Sequence, residues 1–335
     1  MLGKLSLSAA LLLLLGSLLR ADAPEPAPAK LRDAVQKSIA LMQQSGVEYL
    51  YHRECFSCHH QGVPIIALTT ARSRGFAVKE KELQEQVRFT AAFLEKNRED
   101  YQKGRGQGGQ VDTAGYALWA LEAGGWKADA TTAAVTAYLL LRDRDHDHWR
   151  TVSKRPPSEV SDFTATYLAL RGLQVWGGAA QKERVAERTE KARRWLLQTQ
   201  PQDTEERVFR LWALRRLGEE KAVVAAAQEL LRTQRADGGW GQTDDLASDA
   251  YATGSALTVL HLAGGLATTD AAYQRGLRFL LKEQRADGSW LVRSRSKPFQ
   301  VYFESGFPHE KDQFISITAS AWATTALALA CPPRR

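Results

Sequence analysis

The sequence predicts an all-α protein, a single (α/α)6 toroid in which six outer/inner helix hairpins close into a ring, on three observations. A helix followed by Gln-Arg-Ala-Asp-Gly-x-Trp occurs twice, ending at Trp240 and Trp290, a self-similarity that marks a repeat architecture. Each such helix leads into a second one, alanine-rich and apolar nearly all round, as a closely packed buried helix should be. No stretch shows the period-2 alternation of a strand.

The elements follow in chain order. Lys4, a leucine-rich run from Leu5 to Leu19 and the small residues Ala21 and Ala23 read as a signal peptide over residues 1–23. An uncleaved anchor competes, although the run is short for the roughly 20 residues a span needs. Residues 24–29, Pro- and Ala-rich, read as a tether, and the ring occupies 30–331. Its pairs fall at about 30–75, 78–125, 128–177, 180–218, 220–264 and 268–330. The inner helices include Tyr116–Leu121, Ala165–Leu170, Val208–Leu214, Thr253–Leu260 and Ala321–Leu329. Gly124, Gly177, Gly218 and Gly264 stand where several of them stop, as the left-handed turn after a helix favours. Lys191–Gln200 repeats half of the motif, and Tyr138–Trp149 keeps its spacing with Asp143 in the Gln slot.

A hydrophobic fraction of 44% supplies a core large enough for one domain of this length. The net charge of +7 suits a solvated basic surface, an acidic redox partner or anionic headgroups at a membrane surface. Nucleic acid is not expected, because no basic run carries interleaved aromatics. Gly104-x-Gly106-x-x-Gly109 follows no strand, so it is a turn and not a dinucleotide site.

The Gln-x-x-x-Gly-x-Trp element, with Arg275-Gly276-x-x-Phe279-Leu280 before it, resembles the QW motif of squalene cyclases and protein prenyltransferases. The resemblance is specific at 275–290, good at 225–240 and partial at 191–200. It implies the toroid of that superfamily, with a central cavity lined by inner-helix N-termini and an apolar or isoprenoid-like ligand. The segment Tyr302–His309 is also similar to exported bacterial proteins that carry such repeats with an N-terminal Cys-x-x-Cys-His.

That motif stands here as Cys55-Phe56-Ser57-Cys58-His59. In an exported chain, periplasmic or at the cell surface, it reads as covalent haem c attachment. Cys55 and Cys58 would form the thioethers and His59 would be the iron ligand. His60 and His309 are candidate second ligands. Zinc on the same cysteines, His59 or His60 and one carboxylate is the alternative cofactor, and a Cys55–Cys58 disulfide is the third reading. Polar residues recur at the inner-helix starts: His60, Gln110 with Asp112 two on, Asp162, Asp203, Asp249 and Ser316. Capping explains most of them, and Asp249 is the candidate catalytic acid. The resemblance to prenyltransferases would put zinc there, but Tyr251 stands where that family has its cysteine. The Asp-x-Asp-Asp acid of class II terpene cyclases has no match at an inner-helix start.

The leading function is therefore an exported toroid that binds haem c and works in redox or ligand binding at its cavity. The alternatives are a terpenoid-processing enzyme with a cavity metal or acid, and a non-catalytic lipid-binding or interaction module.

Overall fold

The computed structural model describes residues 25–298 and 301–332; the signal reading at 1–23 lies outside them. The outer helices are α1 (Pro28–His52), α3 (Glu80–Lys96), α6 (Ala130–Leu141), α8 (Lys182–Gln198), α10 (Glu220–Arg232) and α12 (Ala271–Glu283). The inner helices are α2 (Val63–Ser73), α5 (Val111–Ala123), α7 (Asp162–Trp176), α9 (Thr204–Arg216), α11 (Ala250–Leu262) and α13 (Gln313–Ala330). A short α4 (Arg98–Gln102) precedes α5, and a two-residue ribbon pairs β1 (Trp240–Gly241) with β2 (Ser248–Asp249). The fold is an all-α toroid.

Each inner helix packs on its neighbours in the order α2, α5, α7, α9, α11, α13, and α13 returns to α2. The ring is closed. α13 with the turn before it, Glu310–Ala330, is long and apolar enough to cross a membrane, but 89% of its apolar window is buried in the ring. The expected tether ends early, because Pro28 already occupies the first turn of α1, a position that proline tolerates.

The repeat motif owes its recurrence to a hydrogen-bond set. The indole N–H of Trp240 donates to the Leu230 carbonyl at 2.9 Å, and that of Trp290 to Leu280 at 2.7 Å. Trp149 makes the same bond to Leu139 at 2.8 Å, so the degenerate third copy is structurally intact. The Gln234 amide donates to Gly238 and onward to Ala272 in the next outer helix. Its counterpart Gln284 donates to Gly288 and to the Ala34 carbonyl of α1, which ties the last repeat to the first. Gly238 and Gly288 have φ of +89° and +92°, and a Cβ on Gly288 would come within 2.9 Å of the Lys37 backbone. Only glycine fits that turn.

Candidate active site at the ring axis

Three inner helices send matching side-chain series down the axis. On α5, Asp112, Tyr116 and Trp119 stand at i, i+4 and i+7; on α9, Glu205, Phe209 and Trp212 do the same. Such spacings share one helix face. On α7, Thr164, Tyr167 and Arg171 form the equivalent series. The lower rings meet: Trp119 lies 5.4 Å from Tyr167, 6.3 Å from Trp212 and 6.2 Å from Trp322 between centroids. Helices α9 and α13 are not ring neighbours of α5, so an indole that touches both lies on the axis. The Arg171 guanidinium sits 4.7 Å from the Trp119 ring centre and pairs with Glu122 at 2.7 Å. The central cavity expected from the sequence is therefore filled by an aromatic cluster at this level.

Above it lies a polar layer drawn from inner-helix starts. Asp112 is fully buried; its Oδ2 accepts from the Thr151 hydroxyl at 2.7 Å, and its Oδ1 has no hydrogen-bond partner among the described residues. Glu205 is buried as well, accepting from Thr164 at 3.1 Å and from the Tyr251 phenol at 3.0 Å. Burial, reinforced by the nearby Glu159 charge, pushes the Asp112 carboxyl up to about 8. Burial and then Asp203 push Glu205 well above the usual carboxylate range. In both, desolvation penalises the charged form and favours the neutral acid. The Tyr116 hydroxyl is buried nearby and has no hydrogen-bond partner among the described residues.

The connection from α6 to α7, residues 142–161, seals this layer. Thr151 reaches Asp112, and the Thr151 N–H donates to Asp162 at 2.9 Å. Asp162 also meets the His148 ring, which stacks on Trp195 with centroids 4.2 Å apart. Further along, Arg155 and Glu159 pair through their backbones and by a 2.5 Å ion pair. His59 grips this turn, with Nε2 at 3.3 Å from Ser158 Oγ and Nδ1 at 3.7 Å from Glu159. His148, at the end of the polar run Asp143–His148, thus braces the seal.

The Cys-x-x-Cys-His segment is split by its surroundings. Cys55 is exposed, its sulfur 3.6 Å from the Tyr49 hydroxyl, while Cys58 is buried with its sulfur 3.9 Å from the Asp112 carbonyl oxygen. Burial pushes the Cys58 thiol well up. The two cysteines are free, so no disulfide joins them. Haem attachment needs both sulfurs along one porphyrin edge and an open imidazole nitrogen. Here both nitrogens of His59 face Ser158 and Glu159, and Cys55 is exposed while Cys58 is buried, so the folded arrangement does not fit the group. His60 does not join His59: it stacks on Tyr49 at 4.8 Å and meets Phe314 edge-on at 5.3 Å. His309 lies elsewhere, its Nε2 2.7 Å from the Ser289 hydroxyl in the last Gly-x-Trp turn. Among the described residues no three His, Cys, Asp or Glu side chains cluster as a metal would need.

Asp249 serves as a cap. Its Oδ1 accepts from Ala252 N–H at 2.9 Å and its Oδ2 from the Gln242 amide at 2.8 Å; burial raises its carboxyl to about 6. Asp203 caps α9 likewise, but α7 is capped by Ser161, leaving Asp162 to bind the seal. Ser316 lies inside α13 and bonds Val292. Glu205, Glu159 and Thr151 were not singled out from the sequence. Glu205 could have been found as an acid three and four residues before an aromatic-rich apolar face; nothing local marks Thr151 or Glu159.

The family model of the squalene-hopene cyclase C-terminal domain matches residues 204–329. Among solved structures, a variant of the type II terpene cyclase MstE from Scytonema, bound to its product merosterolic acid A, is 15% identical with a TM-score of 0.60. That alignment covers 92% of this chain and 99% of that one. Another MstE variant, bound to its substrate geranylgeranyl dihydroxybenzoate, is 14% identical with a TM-score of 0.59, covering 92% and 99%. A glycosidase variant is 12% identical, TM-score 0.58, covering 91% and 98%. At these identities the likeness is one of fold.

Proposed function

We propose that this chain, a toroid of the squalene-cyclase-like superfamily, protonates an apolar, isoprenoid-like molecule at its axis, with Asp112 as the acid. The observation that carries the reading is Asp112 itself: a neutral carboxyl whose Oδ1 is unpartnered, set one and two turns above Tyr116 and Trp119. Alkene protonation needs an acid undiluted by a neighbouring base and aromatic faces for the cation that follows. Transfer breaks the O–H bond at Asp112 Oδ1 and makes a C–H bond from the alkene pair, leaving a carboxylate and a carbocation. Loss of a proton from the cation ends the reaction, and the carboxylate recovers one from solvent, so the step is redox-neutral. The terpene cyclase neighbours, solved with a geranylgeranyl substrate and its product, support the substrate class. The basic, leucine-rich start of the chain supports an exported enzyme working beside a membrane.

The test is incubation of purified chain with geranylgeranyl dihydroxybenzoate or squalene, followed by mass spectrometry. A cyclised or rearranged product, isomeric with its substrate or hydrated, supports the reading. Asp112→Asn should cut its formation by about 100-fold or more. Folded protein that binds neither probe nor alters it would overturn the proposal, and binding without turnover would leave a lipid-binding module. Covalent haem c with a redox partner, or zinc, is the rival outcome. A Soret band, or one zinc per chain released by thiol modification, would establish it.

A further inference from the structure

We propose that Thr151 is a positioning residue that fixes the Asp112 proton on Oδ1, the carboxyl oxygen that has no hydrogen-bond partner among the described residues. This rests on the reading of Asp112 as the acid. A neutral carboxyl can carry its proton on either oxygen, and only the placement on the oxygen that no neighbour engages leaves the proton free for a substrate. Two contacts select it. The Thr151 hydroxyl lies 2.7 Å from Oδ2. The Ser153 backbone N–H points at that same hydroxyl oxygen from 3.3 Å and occupies a lone pair. The hydroxyl is thereby biased to donate, so Oδ2 accepts and the proton resides on Oδ1. The Thr151 N–H is anchored in turn on Asp162, which His148 braces from 3.2 Å. Thr151 belongs to the seal and not to any helix, so the axis acid is completed only when residues 142–161 are in place.

The charged and titratable groups around Asp112 are Glu159 and Asp162, which raise its carboxyl, and Arg155, which lowers it. Cys58 and Tyr116 stand close by and Glu205 lies across the axis. All are unchanged by substitution at Thr151. A Thr151 hydroxyl that donates also favours the carboxylate, so its removal has a signed consequence.

The experiment compares wild type, Thr151→Val and Thr151→Ser by infrared titration of the protonated Asp112 C=O stretch, assigned with Asp112→Asn, and by turnover against pH. Thr151→Val should move the infrared midpoint up by about one pH unit. The alkaline limb of turnover should move with it, while kcat on the plateau falls several-fold and KM holds. Thr151→Ser should restore both. An unmoved midpoint in a folded Thr151→Val protein overturns the assignment. If Asp112→Asn retains full turnover, the catalytic reading fails, yet the infrared titration still decides what Thr151 does to the Asp112 proton.

Discussion

Trp119 of α5 meets Trp212 of α9 edge-on, their ring centroids 6.3 Å apart with an interplanar angle of 77°, although another inner helix separates the two around the ring. That contact makes the axis a packed core below the acids. Trp119→Ala removes a buried indole that also touches Tyr116, Tyr167 and Trp322. It should cost about 3–5 kcal/mol of stability, as large-to-small core changes do. Equilibrium urea unfolding measures this, and a loss below about 1 kcal/mol would mean that the indoles line an open channel instead.

Ring closure can be probed at Gln284, whose amide donates to both Gly288 and Ala34. Gln284→Ala strands two carbonyls between the first and last repeats. Stability should fall by about 1–3 kcal/mol. Hydrogen exchange should rise first in α1 and α12; protection lost evenly over the chain would argue against a local seam.

Helix α11 approaches α13 at Gly254, where an added Cβ would lie 2.5 Å from the Ala323 nitrogen and 2.6 Å from the Trp322 carbonyl carbon. Backbone cannot yield as a side chain can, so Gly254→Ala should destabilise by about 1–3 kcal/mol. Gly178→Ala, with nothing within 4 Å, is the control and should unfold at the wild-type midpoint. Equal midpoints for both variants would show that the helices do not pack this closely.

The three cysteines give a sharp count. Cys55 is exposed while Cys58 and Cys331 are buried, so a thiol reagent should modify one group in native protein and three after denaturation. None in native protein and one, Cys331, after denaturation would mean thioethers or a disulfide at Cys55 and Cys58, and thioethers would favour haem over the acid-site reading.

Asp112 also sets a pH dependence. Its carboxyl titrates at about 8 in the fold against roughly 3.9 in the unfolded chain. Between the two, the folded chain keeps a proton that the unfolded chain has released. Stability therefore falls as pH rises through that window. Asp249 adds to the slope over a narrower range that ends near 6. Asp112→Asn should gain on wild type by up to about 1.4 kcal/mol per pH unit between roughly pH 5 and pH 8. Denaturation midpoints that run parallel over this range would show that the carboxyl ionises freely.

The six helix pairs, their order and the Trp-centred repeat were legible in the sequence, because hydrophobic period and turn glycines are local signals. The sequence also carried the face that joins Asp112, Tyr116 and Trp119. It could not say that this face, and not another, points at the axis. Asp249 shows the limit most clearly: as a lone acid at a helix start it looks like a catalytic candidate, and its two oxygens turn out to be spent on Ala252 and Gln242.

What the sequence determined by itself was the toroid, through a repeat whose indole and turn hydrogen bonds are local in the chain. What tertiary structure decided was the site. Cys58 and His59 are neighbours in sequence, yet one faces the Asp112 carbonyl and the other grips Ser158 and Glu159. The 142–161 connection, unremarkable by composition, brings Thr151 onto an acid 39 residues earlier. The physical reason is desolvation: whether a carboxyl becomes a proton donor depends on which distant groups exclude water from it, and closure of the ring sets those.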